Sequence, residues 1–444
     1  MELPSLLRQL SKTNLSLDER AELRCQSAKQ YEDAGQYEAA RKALGELWHR
    51  IGEHPNIDGI QPSIAGEVLL RAGVLTGWIG SCNQIEEAQE IARNLINESI
   101  SIFESISYKK KILEGQNELA LCYWREGRYS EARHILRNVL SLIPIDSELK
   151  ARAILRTAFV ECSAACYQDA LKILTEAAPL FDKINNPTVK GSYHNQLAII
   201  YQTLTEARQH NYLDHSFIEY AAASFHFEQA GNKRYLANVQ NNLGLLYFTA
   251  HRLTEAHEHL DHARRLMNSL KDRVGAARAD ETRARVFLAQ RRNREAERAA
   301  RSAVRVLEQS GHHELAEALI TYGKALARLK QHEQARLTLY RAIEVSEQAG
   351  AINRAGEAAL AIIRELGGRL EEIQSLSSKL PLVKELRRYE HDLIKQALIA
   401  AGGKVSHAAR LLRSSHQYVA YVIEHRHQDL IPFRTPAKPR RKRK

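Results

Sequence analysis

A short polar stretch near the end of the 444-residue chain carries side chains well suited to direct contact with a ligand. Residues 415–421 have the sequence SHQYVAY, which supplies hydroxyl, imidazole and amide groups that both donate and accept hydrogen bonds. Val419, Val422 and Ile423 recur at helical spacing and are available for a core. The pattern predicts a helix with a polar recognition face, whose chemistry suits the edges of DNA bases.

Three predicted helices would position these side chains. An apolar stripe predicts a first helix over Arg387–Ala401, which Gly402 and Gly403 end. Small and apolar residues predict a second helix over Ser406–Leu412, and the third covers His416–Glu424. A short helix, a short turn and a helix with polar N-terminal residues form the helix-turn-helix layout.

At residues 389–427 the sequence resembles the Fis-type helix-turn-helix of bacterial nitrogen-regulatory activators and of the factor for inversion stimulation. The resemblance rests on Glu390, Ile394, Ala397, Leu398, Gly402, Gly403, Lys404, Ser406, Ala408, Ala409 and Leu412. Where the family usually has Gly-Ile in the turn, this chain has Arg413 and Ser414. The basic residues that the family often places along the recognition helix correspond here to Ala420 and Tyr421. The resemblance implies DNA binding and a homodimer that contacts two half-sites.

The predicted DNA contacts fall into two sets. The side chains expected to face the major groove are His416, Gln417, Tyr418 and Tyr421. The groups expected to hold phosphates are Lys404, Ser406, Arg410, Arg413, Ser415, Arg426, Arg440, Arg441, Lys442, Arg443 and Lys444. The alternative for this stretch is a small helical cap that closes the preceding part of the chain.

The net charge of the chain is concentrated at its C-terminal end. Residues 379–444 contain sixteen Lys and Arg against five Asp and Glu, so their net charge of +11 equals that of the whole chain. Residues 1–378 are therefore balanced, which localises the expected polyanion-binding surface. Six of the last seven residues are Lys or Arg, and this composition predicts a disordered basic tail. The tail either contacts phosphates or only aids solubility.

The N-terminal three-quarters contain a degenerate repeat. Its signature is a small residue and an alanine twelve positions apart, with aromatic and aliphatic residues between and after them. The clearest copy is Ala120, Tyr123, Gly127, Tyr129, Ala132, Leu136, Val139 and Pro144. Similar copies begin at Ala28 and Gly244, and weaker ones at Ala158, Ala284 and Gly323. The pattern is similar to the tetratricopeptide repeat, in which small residues let paired helices approach closely.

The resemblance to tetratricopeptide repeats also identifies a candidate partner site. The position three residues before the small residue points into the groove of such an array, and it is Asn117, Asn195 and Asn241 in three copies. Asn238 lies one turn before Asn241. Side-chain amides can donate to and accept from a peptide backbone, so a row of them predicts binding of a peptide or protein segment. The alternative is an ordinary solvated polar face.

The chain is therefore expected to be all-α, a tetratricopeptide-like solenoid followed by a small helix-turn-helix domain and a basic disordered tail. The predicted domains are residues 1–368 for the array, 369–383 for a linker, 384–430 for the Fis-type unit and 431–444 for the tail. No phosphate-binding loop or nucleophile elbow occurs in the sequence, and the isolated Cys162 and Cys166 resemble core thiols. We expect no enzymatic activity, cofactor or metal.

The leading hypothesis is a cytoplasmic DNA-binding transcriptional regulator whose repeat array senses a peptide or protein. The competing hypothesis is a non-enzymatic scaffold whose basic C-terminus contacts RNA or another polyanion. No apolar stretch is long enough for a transmembrane helix. The opening residues lack a basic segment followed by a long apolar run, so we expect no secretory signal. The sequence leaves open the DNA site, the sign of regulation, the ligand, the oligomeric state and whether the array closes into a ring or superhelix.

Removal of Lys438–Lys444 tests the proposed role of the tail. The segment carries six cationic residues, and each neutralised phosphate contributes roughly 0.9 to the slope of log affinity against log salt. The truncated chain should therefore show a slope smaller in magnitude by up to about five. DNA binding measured over a salt series checks this, and an unchanged slope would show that the tail makes no phosphate contacts.

Overall fold

A computed structural model describes residues 10, 15–83, 85, 87–143, 147–206, 212–310, 314–348, 352–366, 382–412, 416–425 and 427–434. Within these residues all regular structure is helical. Contacts divide the chain into two compact units, Met1–Ala318 and Leu319–Lys444. None of the described helices combines the length and the apolar character needed to cross a membrane.

The helices, with the bounds used below, are α1 (Leu17–Asp33), α2 (Tyr37–Leu44), α3 (Pro62–Asn83), α4 (Ala88–Ser105), α5 (Lys109–Arg125), α6 (Tyr129–Leu142), α7 (Glu148–Ser163), α8 (Tyr167–Glu176), α9 (Ala178–Lys183), α10 (Pro187–Glu206), α11 (Leu213–Gln229), α12 (Lys233–Thr249), α13 (Leu253–Ser269), α14 (Arg273–Ala289), α15 (Asn293–Ser310), α16 (Leu315–Arg328), α17 (His332–Gln348), α18 (Ile352–Leu366), α19 (Leu382–Ala400), α20 (Val405–Leu411) and α21 (His416–His425). Short 3₁₀ segments follow α2 at Gly45–Leu47 and α21 at Gln428–Phe433.

Small residues set the spacing within the helix pairs, as the repeat pattern predicts. Ala120 on α5 and Ala132 on α6 are at most 1% exposed. At Gly244 on α12, an added Cβ would lie 2.4 Å from Cγ of Leu260 on α13. This distance is too short for any side chain, so the two helices pack as closely as glycine permits. The predicted all-α, tetratricopeptide-like solenoid is confirmed.

Equivalent turns connect the helices of the first and third pairs. Gly35 follows α1 with φ of +69°, and Gly127 follows α5 with φ of +74°. The amide of Gly35 donates to the Glu32 carbonyl at 2.9 Å, and the amide of Gly127 donates to the Trp124 carbonyl at 3.0 Å. Left-handed backbone at these positions favours glycine, and it reverses the chain within three residues.

A fully buried arginine joins the first three helix pairs. The Arg71 side chain, on α3, is 0% exposed and forms ion pairs with Glu32 at 2.7 Å, Glu67 at 3.1 Å and Glu114 at 2.8 Å. Lys111 shares two of these partners, with distances of 2.6 Å to Glu67 and 2.8 Å to Glu114. The five charges therefore link α1, α3 and α5 in one network.

The pKa values of two carboxyl groups reflect this network. Burial by itself raises the pKa of Glu32, but the charges of Lys29 and Arg71 outweigh burial and hold it at about 2. Burial likewise opposes ionisation of Glu114, while Arg71 and Lys111 bring its pKa to about 2. Both carboxylates thus stay ionised in the interior because their cationic partners are fixed beside them.

Three helices near the C-terminus pack around a core of their own. Leu398 on α19, Ala408 on α20 and Val422 on α21 are completely buried. The helices α20 and α21 lie within one residue of their predicted ranges, whereas α19 begins five residues before the predicted Arg387. The predicted linker lies outside the described residues except for Leu382 and Val383, which belong to α19.

Replacement of Arg71 by methionine should lower the free energy of unfolding by about 3–5 kcal/mol, because it removes the fully buried cation from three largely buried carboxylates, which then retain the more exposed Lys29 and Lys111 as partners. Urea denaturation of the full chain measures this change. Arg292→Met is the matched control, since the Arg292 side chain is 48% exposed and its ion pair with Glu295 spans one helical turn.

Acid titration adds a second measurement to this prediction. The folded-state pKa of Glu32 and Glu114 lies below the usual 4.5, so the stability from these groups is complete above about pH 4.5 and is lost as the pH falls toward 2. The acid-dependent loss should shrink in Arg71→Met. Equal acid sensitivity in both proteins would contradict the proposed role of the network.

Candidate functional site

A cavity of about 350 Å³ with both apolar and polar walls lies in the first unit. It is surrounded mainly by the first helices of consecutive pairs, α1, α3, α5, α7, α10 and α12. The lining residues are Glu32, Asp33, Tyr37, Trp78, Glu118, Leu121, Trp124, Arg152, Leu155, Arg156, Phe159, Thr188, Val189, Ser192, Asn195, Gln196, Phe227, Tyr235 and Asn238. We call this space the central cavity.

Aromatic rings form much of the wall of the central cavity. Tyr37 and Trp78 stack with their centroids 5.1 Å apart, and the guanidinium of Arg125 lies 4.2 Å from the Trp78 ring centroid. Trp124 packs near Phe159 at 6.3 Å and donates its indole N–H to Ser163 Oγ at 2.7 Å. The rings are thereby fixed in orientation, and together they offer a rigid surface to an apolar or aromatic group.

The charged side chains of the cavity wall are engaged in ion pairs. Glu118 receives a hydrogen bond from Arg156 at 2.6 Å, and Asp33 pairs with Arg152 at 3.3 Å. The wall as a whole contains three carboxylates and two guanidinium groups. A highly anionic ligand such as a polyphosphate would therefore meet no excess of positive charge there.

Two polar groups of the wall have unused hydrogen-bonding capacity. Nη1 of Arg156 and Oδ1 of Asn195 have almost no solvent-exposed area and find no hydrogen-bond partner among the described residues. One group is a donor and the other an acceptor. A buried polar group without a hydrogen bond destabilises the protein by about 1–3 kcal/mol. A ligand that bonds to these two groups would therefore recover this free energy.

The N-terminal hairpin closes the cavity by contacts with residues far along the chain. The main-chain carbonyl of Asp33 accepts hydrogen bonds from Thr188 Oγ1 at 3.2 Å and from Asn232 Nδ2 at 2.9 Å. The Gly35 carbonyl accepts from Arg234 Nε at 3.0 Å. We call this set of contacts the seam. Through it the end of α1 meets α10 and the start of α12 within the first unit.

A pair of tyrosines extends the seam to the cavity. The hydroxyl groups of Tyr37 and Tyr235 are 3.3 Å apart, although the residues are 198 positions apart in sequence. Burial raises the pKa of both hydroxyls, so both remain protonated and one donates to the other. Since both tyrosines line the central cavity, a change at the seam alters the cavity wall directly.

The structure separates the four asparagines that the sequence groups in one row. Asn195 and Asn238 line the central cavity. Asn241 instead lines a smaller cavity of about 120 Å³ with residues of α14 and α15. Asn117 is 1% exposed and lies outside both linings, while its neighbour Glu118 reaches the central cavity. The four asparagines therefore do not line one groove, because equivalent positions of the first helices face different spaces.

The predicted DNA-contacting residues that the structure describes lie on or next to α20 and α21. Lys404, Ser406, Arg410 and His416 are exposed at or near the ends of α20 and α21. Gln417, Tyr418 and Tyr421 belong to α21. The remaining predicted contacts lie outside the described residues, and they are Arg413, Ser415, Arg426, Arg440, Arg441, Lys442, Arg443 and Lys444.

Two features of the first unit, the polar and aromatic wall of the cavity and the buried Arg71, are absent from the sequence-based prediction. Arg156 and the tryptophans Trp78 and Trp124 do not occupy the groove position of the repeat frame, so the frame could not select them. Arg71 carries a signal that was available, since it is the only charged residue between Val68 and Gly80 on an apolar helix. A single charge in such a run indicates a buried ion pair.

Replacement of Gly35 by alanine should open the seam. Its φ is +69°, and the new Cβ would lie 2.7 Å from Oδ1 of Asn232. Gly127→Ala is the matched control, because Gly127 has a φ of +74° and no atom within 4 Å of an added Cβ. Both variants should lose about 1–2 kcal/mol of stability through backbone strain.

Hydrogen exchange distinguishes the two glycine variants. Amide exchange at residues 33–37 and 232–236 should accelerate in Gly35→Ala only, because only this substitution displaces Asn232. Equal exchange in these segments for both variants would show that the seam does not depend on the close approach at Gly35.

Comparisons with known proteins place the repeat array in a familiar fold. Residues 235–309, which span most of α12–α15, match the tetratricopeptide repeat family model. No curated protein sequence is significantly similar to the chain. The repeat resemblance stated from the sequence is therefore supported over these four helices.

Three solved structures have similar folds at low sequence identity. A Rap protein complexed with Competence and Sporulation Factor is 13% identical, with 83% of this chain and 98% of that chain covered and a TM-score of 0.55. The human IFIT1 dimer with PPP-AAAA is 14% identical, with coverage of 82% and 77% and a TM-score of 0.51. Aspartyl phosphate phosphatase F from Bacillus subtilis is 13% identical, with coverage of 77% and 87% and a TM-score of 0.50. The chain is thus similar to these proteins in fold, as a tetratricopeptide-like helical repeat solenoid.

Proposed function

We propose that this chain is a non-enzymatic cytoplasmic transcriptional regulator whose repeat array binds a peptide segment in the central cavity and whose C-terminal helices bind DNA. The observation that carries the proposal is the central cavity, where aromatic walls surround a donor and an acceptor without partners. The proposed ligand-binding residues are Asn195, Asn238 and Arg156, together with the rings of Trp78 and Trp124.

The unused groups of the wall suit the chemistry of a peptide. Each peptide unit has one N–H donor and one carbonyl acceptor, which match Oδ1 of Asn195 and Nη1 of Arg156. Because both atoms are closed to solvent, a bound peptide gains these bonds only after the side chains rotate toward it. The aromatic rings would take an apolar side chain of the same peptide.

The structural neighbours bind two different kinds of ligand. The Rap protein is complexed with Competence and Sporulation Factor, whereas human IFIT1 is complexed with PPP-AAAA. A 5′-triphosphate concentrates negative charge, and the wall of this cavity contains one more carboxylate than guanidinium group. The charge balance therefore favours a peptide over a triphosphate-bearing RNA as the ligand of this cavity.

The DNA-binding half of the proposal is supported by charge and by the packing of α19–α21. The apolar side of these helices is used in their own core, which leaves Lys404, Arg410 and His416 exposed. The same C-terminal region holds the charge excess of the chain. The Fis-type resemblance adds the proposal that α21 enters the major groove and that two copies bind two half-sites.

Selection from random duplexes with the full chain separates a regulator from a scaffold. A preferred duplex that retains affinity at physiological salt supports the regulator. Binding that is independent of sequence and disappears as salt increases supports an adaptor that contacts polyanions through its basic end.

A displayed library of random heptapeptides, selected on the full chain, tests the peptide site. Enriched peptides should quench or shift the emission of Trp78 and Trp124. The double variant Asn195→Ala with Asn238→Ala should bind them about tenfold more weakly, since two hydrogen bonds worth about 0.5–1.5 kcal/mol each are lost. Fluorescence titration gives the dissociation constants.

The matched control is the double variant Asn97→Ala with Asn138→Ala, because both residues are exposed and lie outside the cavity lining. It should bind the peptides as the unmodified chain does. The peptide proposal is wrong if no peptide is enriched, or if the cavity variant and the control bind equally. Binding of a 5′-triphosphate RNA that the cavity variant alone loses would also overturn it.

A further inference from the structure

A second and more open space lies beside the seam in the first unit. It has a volume of about 840 Å³ and lies between α2 and the turn that connects α13 to α14. Ile79, Val274 and Val306 contribute apolar surface to it. We call this space the seam cleft. Its residues are distinct from those of the central cavity except for Tyr37, which lines both.

The seam cleft has an excess of positive charge. Its walls contain the cationic residues Arg41, Lys42, Arg234, Lys271 and Arg273. The acidic residues in the same walls are Glu38 and Asp272, so the local net charge is +3. This excess is unusual in a part of the chain that is otherwise balanced over residues 1–378.

Two of the five cations already have protein partners. Arg41 pairs with Glu38 at 3.0 Å. Arg234 donates to the Gly35 carbonyl and also forms an ion pair with Asp272. These two arginines hold the cleft walls in place, and their charges are largely neutralised.

The other three cations remain available for a ligand. Lys42, Lys271 and Arg273 are exposed, and no ion pair of theirs occurs among the described residues. They come from both walls of the cleft, Lys42 from α2, Lys271 from the α13–α14 turn and Arg273 from the first residue of α14. A ligand that pairs with all three must therefore extend across the cleft.

We propose that the seam cleft binds an acidic segment of a partner protein, in which carboxylates alternate with apolar side chains. The carboxylates would pair with Lys42, Lys271 and Arg273, and the apolar side chains would cover Val274 and Val306. This inference goes beyond the peptide site of the central cavity and does not depend on it.

The apolar floor distinguishes a protein segment from a nucleic acid. A phosphate backbone has no apolar group to cover Val274 and Val306. A peptide in extended conformation directs successive side chains to opposite faces. It can therefore place apolar groups on the floor and carboxylates toward the rim.

The location of the cleft gives the proposed ligand a second effect. One wall belongs to α2, which contributes to one side of the seam, and the other wall lies next to Arg234, on the opposite side. We call the seam closed when its hydrogen bonds are formed and open when they are broken. A ligand that pairs with both walls binds the closed form more tightly than the open form. Its binding therefore stabilises the closed form by the difference between the two binding free energies.

Fluorescence anisotropy with a defined probe tests the proposal on the full chain. The probe is a fluorescein-labelled hexapeptide of alternating glutamate and leucine, and the matched probe has glutamine in place of glutamate. The glutamate peptide should bind, with affinity that falls as salt rises, and the glutamine peptide should bind at least tenfold more weakly. Equal binding of the two peptides would overturn the proposal.

Charge reversal locates the binding site. The variant Lys42→Glu, Lys271→Glu, Arg273→Glu should lose at least tenfold in affinity for the glutamate peptide. The control Lys109→Glu, Lys110→Glu, Arg137→Glu changes the net charge equally at exposed residues outside the cleft, and it should retain binding. An equal loss in both variants would assign the binding to overall charge, and no loss in either would assign it to the basic C-terminus.

Two further measurements on the unmodified chain do not depend on the folding of a variant. The glutamate peptide should slow hydrogen exchange at residues 35–42 and 269–274, and unchanged exchange there would overturn the proposal. Single-stranded RNA should fail to displace the peptide from the cleft. Competitive displacement that also protects these two segments would assign the cleft to nucleic acid.

Discussion

The buried guanidinium of Arg71 is the constraint on which the first unit depends. Removing a charge from water is costly, and its partners offset that cost only when they stand at hydrogen-bonding distance. Arg71 therefore tolerates few arrangements of Glu32 on α1, Glu67 on α3 and Glu114 on α5. Apolar contacts alone would allow these helices to slide, whereas the ion network fixes their register.

The ion network also positions the residues of the seam. Lys29 pairs with both Glu32 and Asp33, so the end of α1 is held where the Asp33 carbonyl can accept bonds from Thr188 and Asn232. The central cavity lies where this contact brings the end of α1 against α10 and the start of α12. The proposed ligand site thus depends on contacts between residues distant in sequence, and it is not a property of any single repeat.

The difference between local and long-range information explains what the sequence could predict. Helix pairing follows from spacing within a repeat, as at Ala120 and Ala132, so the fold and the ranges of α20 and α21 could be predicted closely. The seam joins Gly35 to Arg234, and no local pattern relates residues so distant in sequence. The predicted asparagine row assumed that equivalent positions face one groove. In the structure Asn195 lines the central cavity, whereas Asn241 lines the smaller cavity beside α14.

Tyr37 connects the two proposed ligand sites, since it lines both the central cavity and the seam cleft. Each ligand can shift the seam only by the difference in its affinity for the closed and open forms. If a cavity peptide needs Tyr37 and Tyr235 to remain bonded, it favours the same closed form as a ligand of the cleft. The two ligands then strengthen each other's binding by equal factors. If the peptide instead separates the tyrosines to reach Asn195, each ligand weakens the binding of the other. The hydroxyl contact between Tyr37 and Tyr235 therefore sets the sign of the coupling between the sites.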